Sequence, residues 1–179
     1  MAVVTLATFS SEELLLLERW LHQAHVAPWY PYPSRDLEYA SRPPRNAGHW
    51  LIAVDAEPVG YVRWQHVDRE TLDELGLLEV PAHSVDIDIL LGDVASTGKG
   101  IGPAALQLVA QRFLPDTSVP QLGLTTSVHN SRAHRGFAKA GFVITRQYQP
   151  PGLELCHLMI RDIADERSTM TAGRALGSS

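Results

Sequence analysis

The sequence predicts a mixed α/β fold, and three observations carry that prediction. His83–Leu91 alternates, with Val85, Ile87 and Ile89 on one face and Asp86 and Asp88 on the other, as in a half-buried strand. That strand runs through a glycine-rich turn into an amphipathic helix. Elsewhere, short β-type runs bounded by turn residues are interleaved with helical stretches, the order expected of a sheet covered by helices. A chain of 179 residues suits one domain, here residues 1–163, followed by a small, polar, flexible tail at 164–179.

The elements follow in order. Val3–Leu6 is a short strand. Ser10 or Ser11 caps a helix over residues 12–25, with Glu12 and Glu13 favourable in its first turn. Residues 28–46 hold Pro28, Pro31, Pro33, Pro43 and Pro44 among aromatics, which predicts a long functional loop or lid. Residues 50–67 read as a hairpin turning at Asp55–Pro58, and residues 68–77 as a short acidic helix. After the glycine turn, residues 103–113 are helical and 121–128 form a strand. Asn130 or Ser131 caps a helix over 131–140, which Gly141 closes. Residues 142–148 and 155–162 pair as a second hairpin around the turn at 149–154.

Composition narrows the function. A net charge of −5 without clustered basic residues argues against nucleic acid as a partner. No apolar run is long enough to span a membrane, and no secretory signal pattern opens the chain, so the expected location is cytoplasmic. The lone Cys156 lies in an apolar alternating run and reads as a buried structural thiol. The eight histidines show no metal-ligand spacing, and no metal is expected. Between His66 and Asp93 stand eight carboxylates against Arg69 alone. That window is either a solvated acidic face or a cleft that attracts a polycation.

The element that points to chemistry is Thr97-Gly98-Lys99-Gly100-Ile101-Gly102, between strand and helix. Glycines let the backbone turn and approach a ligand, and the helix N-terminus offers free N–H groups to a phosphate. The spacing is neither a P-loop nor a dinucleotide-binding fingerprint.

In context, strand, glycine loop, helix, strand and then Asn130-x-x-Ala133-x-x-x-Phe137-x-Lys139-x-Gly141-Phe142 resemble the acetyl-CoA-binding half of the GNAT superfamily. The resemblance implies a GNAT fold, a mixed and mostly antiparallel sheet flanked by helices. It also implies that acetyl-CoA places its pyrophosphate on Thr97–Gly102 and its pantetheine along Asp88, Ile89, Leu90 and Leu91. Asn130 and Phe137 would flank the thiol end, and backbone N–H groups near Leu90 would hold the developing oxyanion. Thr97 stands where the family usually has Gln or Arg.

Within GNAT, Ala24-His25-Val26, Trp29-Tyr30, Val59-Gly60-Tyr61 and Asp88-x-Leu90-Leu91 are similar to the aminoglycoside 6′-N-acetyltransferases. That likeness implies transfer of acetyl to a primary amine of a small cationic acceptor, with Asp88 as the base. Trp29, Tyr30, Asp73, Glu79 and Asp86 would bind the acceptor. An isolated Asp, ionising near ~3.9, is a weak base at neutral pH, but a like charge such as Asp86 raises one member of a pair. Two departures stand out. The subgroup's proton-donating Tyr is Phe137 here, with His129 and His134 as candidate substitutes, and its strand-end acid is Thr125. An acceptor of polyamine or siderophore-type lysine chemistry therefore stays open, as does a non-catalytic acyl-CoA-binding module. The expected assembly is a monomer or homodimer.

Overall fold

The structure is a computed structural model that describes the backbone of residues 3–176 and the side chains of residues 3–171. Seven strands form one sheet: β1 (Val4–Thr8), β2 (Ala47–Val54), β3 (Glu57–His66), β4 (Val85–Leu91), β5 (Gln121–Ser127), β6 (Val143–Tyr148) and β7 (Cys156–Asp162). Their spatial order is β1-β2-β3-β4-β5-β7-β6, and only the β4–β5 pair is parallel. The helices are α1 (Leu14–Leu21), α2 (Pro33–Ser41), α3 (Arg69–Glu74), α4 (Ile101–Phe113), α5 (Ser131–Lys139) and α6 (Ile163–Leu176).

Each face of the sheet has its own core, as strand alternation requires. Val85 and Ile87 turn to one side and pack with Ile101, Leu106, Val109 and Phe113 of α4. Leu51, Tyr61 and Leu90 turn to the other and pack with Leu17, Trp20 and Leu21 of α1. Asp86, Asp88 and Leu90 share that second face. The α1–α2 region, and not α4, therefore meets the two aspartates.

Three segments differ from their sequence expectation. The first helix begins as a 3-10 turn at Ser11–Glu13, held by a Ser10–Glu13 capping box, and its α part ends at Leu21. The proline-rich stretch is not all loop, because α2 starts at Pro33. Proline costs nothing at a first helical position, where its missing N–H has no partner to lose. The expected flexible tail is helical through Leu176, whereas 177–179 lie outside the described residues. Asp162 Oδ1 accepts from the Asp165 N–H, and buried Arg161 donates to Glu166, Gln107 and the Ala140 carbonyl. Arg167 caps the end of α4 by donating to the carbonyls of Leu114, Asp116 and Val119. These long-range partners order a segment that has little local hydrophobic pattern.

Candidate active site

The sheet forks at its centre. β4 and β5 pair only through Val85–Ile87 with Leu122–Leu124, and beyond that each keeps its other partner. β4 continues against β3 as far as the Gly60–Leu91 pair, and β5 continues against β7 as far as Ser127–Cys156. The opening between them belongs to a cleft of about 740 Å³.

Residues from the preceding loop stand where β5 would have been. The phenol of Tyr30 lies 3.0 Å from the Ile89 carbonyl oxygen, and His25 Nε2 lies 2.8 Å from that of Leu91. A carbonyl can only accept, so His25 carries its proton on Nε2. Both carbonyls at the unzipped edge are thus satisfied by side chains. In a strand the N–H and C=O of one residue point to the same edge, which puts the Ile89 and Leu91 amides on the open side. The Leu90 carbonyl faces the other way: a Cβ on Gly60 of β3 would come within 2.4 Å of it. The donors near Leu90 that face the cleft are therefore those of its two neighbours.

Farther along the cleft, Asp93 caps a 3-10 turn at Val94–Ser96, and Thr97, Gly98, Gly100, Ile101 and Gly102 line the wall. Gly98 and Gly100 have φ of +75° and +81°, a region that costs an L-residue ~1–2 kcal/mol. Gly100 is the N-cap of α4 and supplies no side chain to it. Among the described residues, the amides of Gly98, Lys99, Gly100, Ile101 and Gly102 find no acceptor. Pro103, next in the helix, has no N–H to satisfy. Five unengaged donors at a helix N-terminus suit an anion such as a pyrophosphate. The Lys99 side chain does not line the cleft, whereas Arg132, Arg135 and Lys139 of α5 do. Asn130 lines it too, and its Oδ1 caps α5 by accepting from the Ala133 N–H at 3.1 Å. Phe137 lines the cleft and packs on the core beneath α4.

At the fork, Asp88 is held on both oxygens. Tyr30 donates to Oδ1 at 2.6 Å, while Arg63 Nε and Nη2 reach Oδ2 at 3.1 and 3.0 Å. Burial pushes the Tyr30 phenol well above its ordinary range, and the Asp88 charge pushes it the same way. Burial opposes the Arg63 charge, but Asp88 and Asp86 outweigh it and raise its pKa further. Tyr39 of α2 lies under the guanidinium, 4.6 Å from ring centroid to Cζ. Asp36 of α2 and Asp86 of β4 complete the group. Desolvation pushes each carboxyl up to about 6, Asp88 adds to the rise, and Arg63 works against it. The Asp86 carboxyl remains open to solvent, but protein crowds it from the sides and withholds part of its hydration.

Of the residues singled out in sequence, Asp88, Ile89, Leu90, Leu91, Thr97, Gly98, Gly100, Ile101, Gly102, Asn130, Phe137, Trp29 and Tyr30 meet around this cleft. Asp86 lies beside it. Asp73 and Glu79 do not come to it: Asp73 pairs with Arg69 one turn away at 2.7 Å, and Glu79 with Arg146 at 3.2 Å. Part of the acidic window is therefore a solvated face. Neither His129 nor His134 lines the cleft, and His134 pairs instead with His157 at 3.1 Å. Cys156 is buried as expected and lines the inner wall. Sequence reasoning missed Arg63, Asp36 and Tyr39, and it read His25 as part of a motif without giving it a role. For Asp36 a signal existed, the proline that opens α2. For Arg63 none did, because its partner depends on the β3–β4 register.

A strand fork beside a helix N-terminus with free amides suits acyl transfer from a phosphate-bearing donor, and the family to which the chain belongs is one of acyltransferases. Residues 10–149 match the acetyltransferase (GNAT) domain, and the chain belongs to that family. It is an acetyl-CoA-dependent N-acetyltransferase. Over 148 residues it is 25% identical to the aminoglycoside N(6′)-acetyltransferase type 1 of Klebsiella pneumoniae, a match covering 78% of this chain and 73% of that one. The Serratia marcescens protein of the same name gives the same figures. Among solved structures, AAC(6′)-Ib in complex with coenzyme A superposes with a TM-score of 0.78 at 22% identity, covering 93% of this chain and 99% of that one. The aminoglycoside N(6′)-acetyltransferase of Legionella pneumophila gives 0.71 at 19% identity, covering 93% and 95%. No helix among the described residues is long and apolar enough to cross a membrane.

Proposed function

We propose that this chain acetylates a primary amine of a small, multiply cationic acceptor of the aminoglycoside type, by direct transfer from acetyl-CoA. The observation that carries this reading is the fork at Asp88. It joins a helix N-terminus with free amides on one side of the cleft to the Asp88 carboxylate on the other, and Asp36 and Asp86 stand close enough to Asp88 to feel its charge. The unengaged amides of Gly98–Gly102 would take the pyrophosphate, and Arg132, Arg135 and Lys139 would add positive charge along the same wall. The pantetheine would lie along β4, and the Ile89 and Leu91 amides would donate to it or to the carbonyl oxygen that becomes negative during attack.

The acceptor would enter on the α2 side, where Trp29 and Tyr32 are exposed at the mouth and the Asp36, Asp86 and Asp88 carboxylates attract ammonium groups. The reacting amine must lose its proton before it attacks the thioester. Asp88, held by Tyr30 and Arg63, receives that proton directly or through a water molecule. The nitrogen adds to the thioester carbonyl and gives its second proton to water, the tetrahedral intermediate collapses to the neutral amide, and coenzyme A leaves as thiolate. Phe137 has no proton to give, and a thiol ionising near ~8.5 takes one from water at neutral pH.

The polyamine and lysine-amine alternatives are supported by Thr125, which replaces a carboxylate expected of the aminoglycoside subgroup and donates or accepts with Tyr148 at 2.7 Å. One assay separates them: coenzyme A release with kanamycin, ribostamycin, polyamines and lysine derivatives, with Asp88→Asn in parallel. Turnover on the aminoglycosides that disappears in the variant supports the proposal. Turnover confined to polyamines or lysine derivatives moves the acceptor, and undiminished turnover by Asp88→Asn removes Asp88 from the proton step.

A further inference from the structure

A guanidinium in the middle of a recess that attracts cations needs a reason. Arg63 stands directly across from Asp88 in the β3–β4 register, and its Nε and Nη2 both address one oxygen, Oδ2. Tyr39 supports its face, and three-quarters of its side chain is covered, with a relative exposure of 25%. It is therefore fixed in place and paired before any acceptor arrives. Asp36 and Asp86, within Coulomb reach of Arg63 on either side, take no hydrogen bond from any described residue. The group thus contains one carboxylate paired within the protein and two that solvent still reaches.

We propose that Arg63 is a resident cation that sets acceptor specificity: it occupies Asp88 in place of an acceptor ammonium and leaves Asp36 and Asp86 to receive the others. This rests on the amine-acetylating reading of the cleft. A fixed positive charge repels an acceptor in proportion to the acceptor's own charge, so Arg63 works against a tetracation about twice as strongly as against a dication. Like charges in such a partly desolvated site repel far more than they do in water. Arg63 thereby disfavours the most highly charged acceptors relative to dications. Asp88 keeps the remaining acceptor capacity of Oδ1 for the proton of the reacting amine and forms no ion pair with a further ammonium.

The test compares wild type, Arg63→Gln and Arg63→Lys in acetyl transfer to a simple diaminoalkane and to kanamycin, which carries more than two amines. Acetyl-CoA affinity is measured in each to show that the variants fold. Arg63→Gln should lower KM for kanamycin about tenfold, the effect of removing one nearby like charge at a partly screened site. Its KM for the diamine should fall by only about threefold, because the repulsion scales with acceptor charge, and Arg63→Lys, which keeps the charge, should restore the wild-type ratio. A fall in kcat for both acceptors at unchanged KM would overturn the proposal, because it would make Arg63 a positioning group for Asp88. An equal shift in both KM values would overturn it too. If the wild type transfers to neither amine, the transferase reading fails for these acceptors, and binding read by tryptophan fluorescence still decides on Arg63. Tighter kanamycin binding by Arg63→Gln supports the resident cation, and equal or absent binding sinks it.

Discussion

The two halves of the cleft are built from different materials. On the side proposed for the cofactor, the groups on offer are backbone amides: those of Gly98–Gly102 at the start of α4 and those at the open edge of β4. Side chains there mostly shape the chain, as with the positive φ of Gly98 and Gly100 or the Asp93 cap. On the side proposed for the acceptor, the groups on offer are side chains from α2, β3, β4 and the loop before α2, and their meaning lies in how they pair. The contrast shows how one fold keeps a constant cosubstrate while its second substrate varies. Backbone donors cannot be substituted away, but a recess of charges can be rewritten one residue at a time.

The comparison can be broken in several places. The largest effect is expected at the junction. Asp88→Asn should lower kcat/KM for the amine by about 10²–10⁴, the range of a lost general base. Acetyl-CoA affinity, measured by calorimetry, should stay within about twofold, since the cofactor side does not use this carboxylate. Next is Gly100→Ala. A Cβ there meets nothing within 4 Å, so the cost is conformational. It should weaken acetyl-CoA binding by about tenfold, following the ~1–2 kcal/mol penalty of a left-handed residue, with little change in acceptor KM. A loss of acceptor binding instead would show that the halves are coupled.

A third and smaller effect is pH dependence. The Asp36 and Asp86 carboxyls, pushed up to about 6, protonate as pH falls below 7 and stop attracting cations. Acceptor KM should rise severalfold from pH 7.5 to 5.5 by this loss, while acetyl-CoA binding stays flat. A raised carboxyl pKa also means that the folded state takes up protons before the unfolded one does. These two groups should therefore add stability as pH drops from about 6 to about 4, and Asp86→Asn should flatten part of that slope in thermal melts. The smallest effect is expected from Tyr32→Phe. The Tyr32 hydroxyl donates to the Gly152 carbonyl at 2.9 Å and links the two loops at the acceptor mouth. Both are exposed, and losing one solvated hydrogen bond should change acceptor KM by no more than about threefold.

What could be read in advance follows the same division. The alternation at His83–Leu91, the glycine turn, the α4 stripe and the Asn130 cap are local patterns, and each predicted its element within a few residues. The acidic window misled in part, because Asp73 and Glu79 look like Asp86 in composition and differ only in having basic partners nearby in space. The prolines at 28–33 concealed α2, and with it Asp36 and Tyr39.

By itself, then, the sequence determined the elements, the glycine turn and the strand aspartate, because hydrogen bonding along a strand or helix and the conformational freedom of glycine depend on neighbours in the chain. Only the tertiary structure decided that β4 and β5 part after Ile87 and that Tyr30 and His25 cap the freed carbonyls. It also placed Arg63 across from Asp88 and Asp36 beside them. Those facts depend on register and on groups distant in sequence, and Coulomb forces between such groups are set by separations in space.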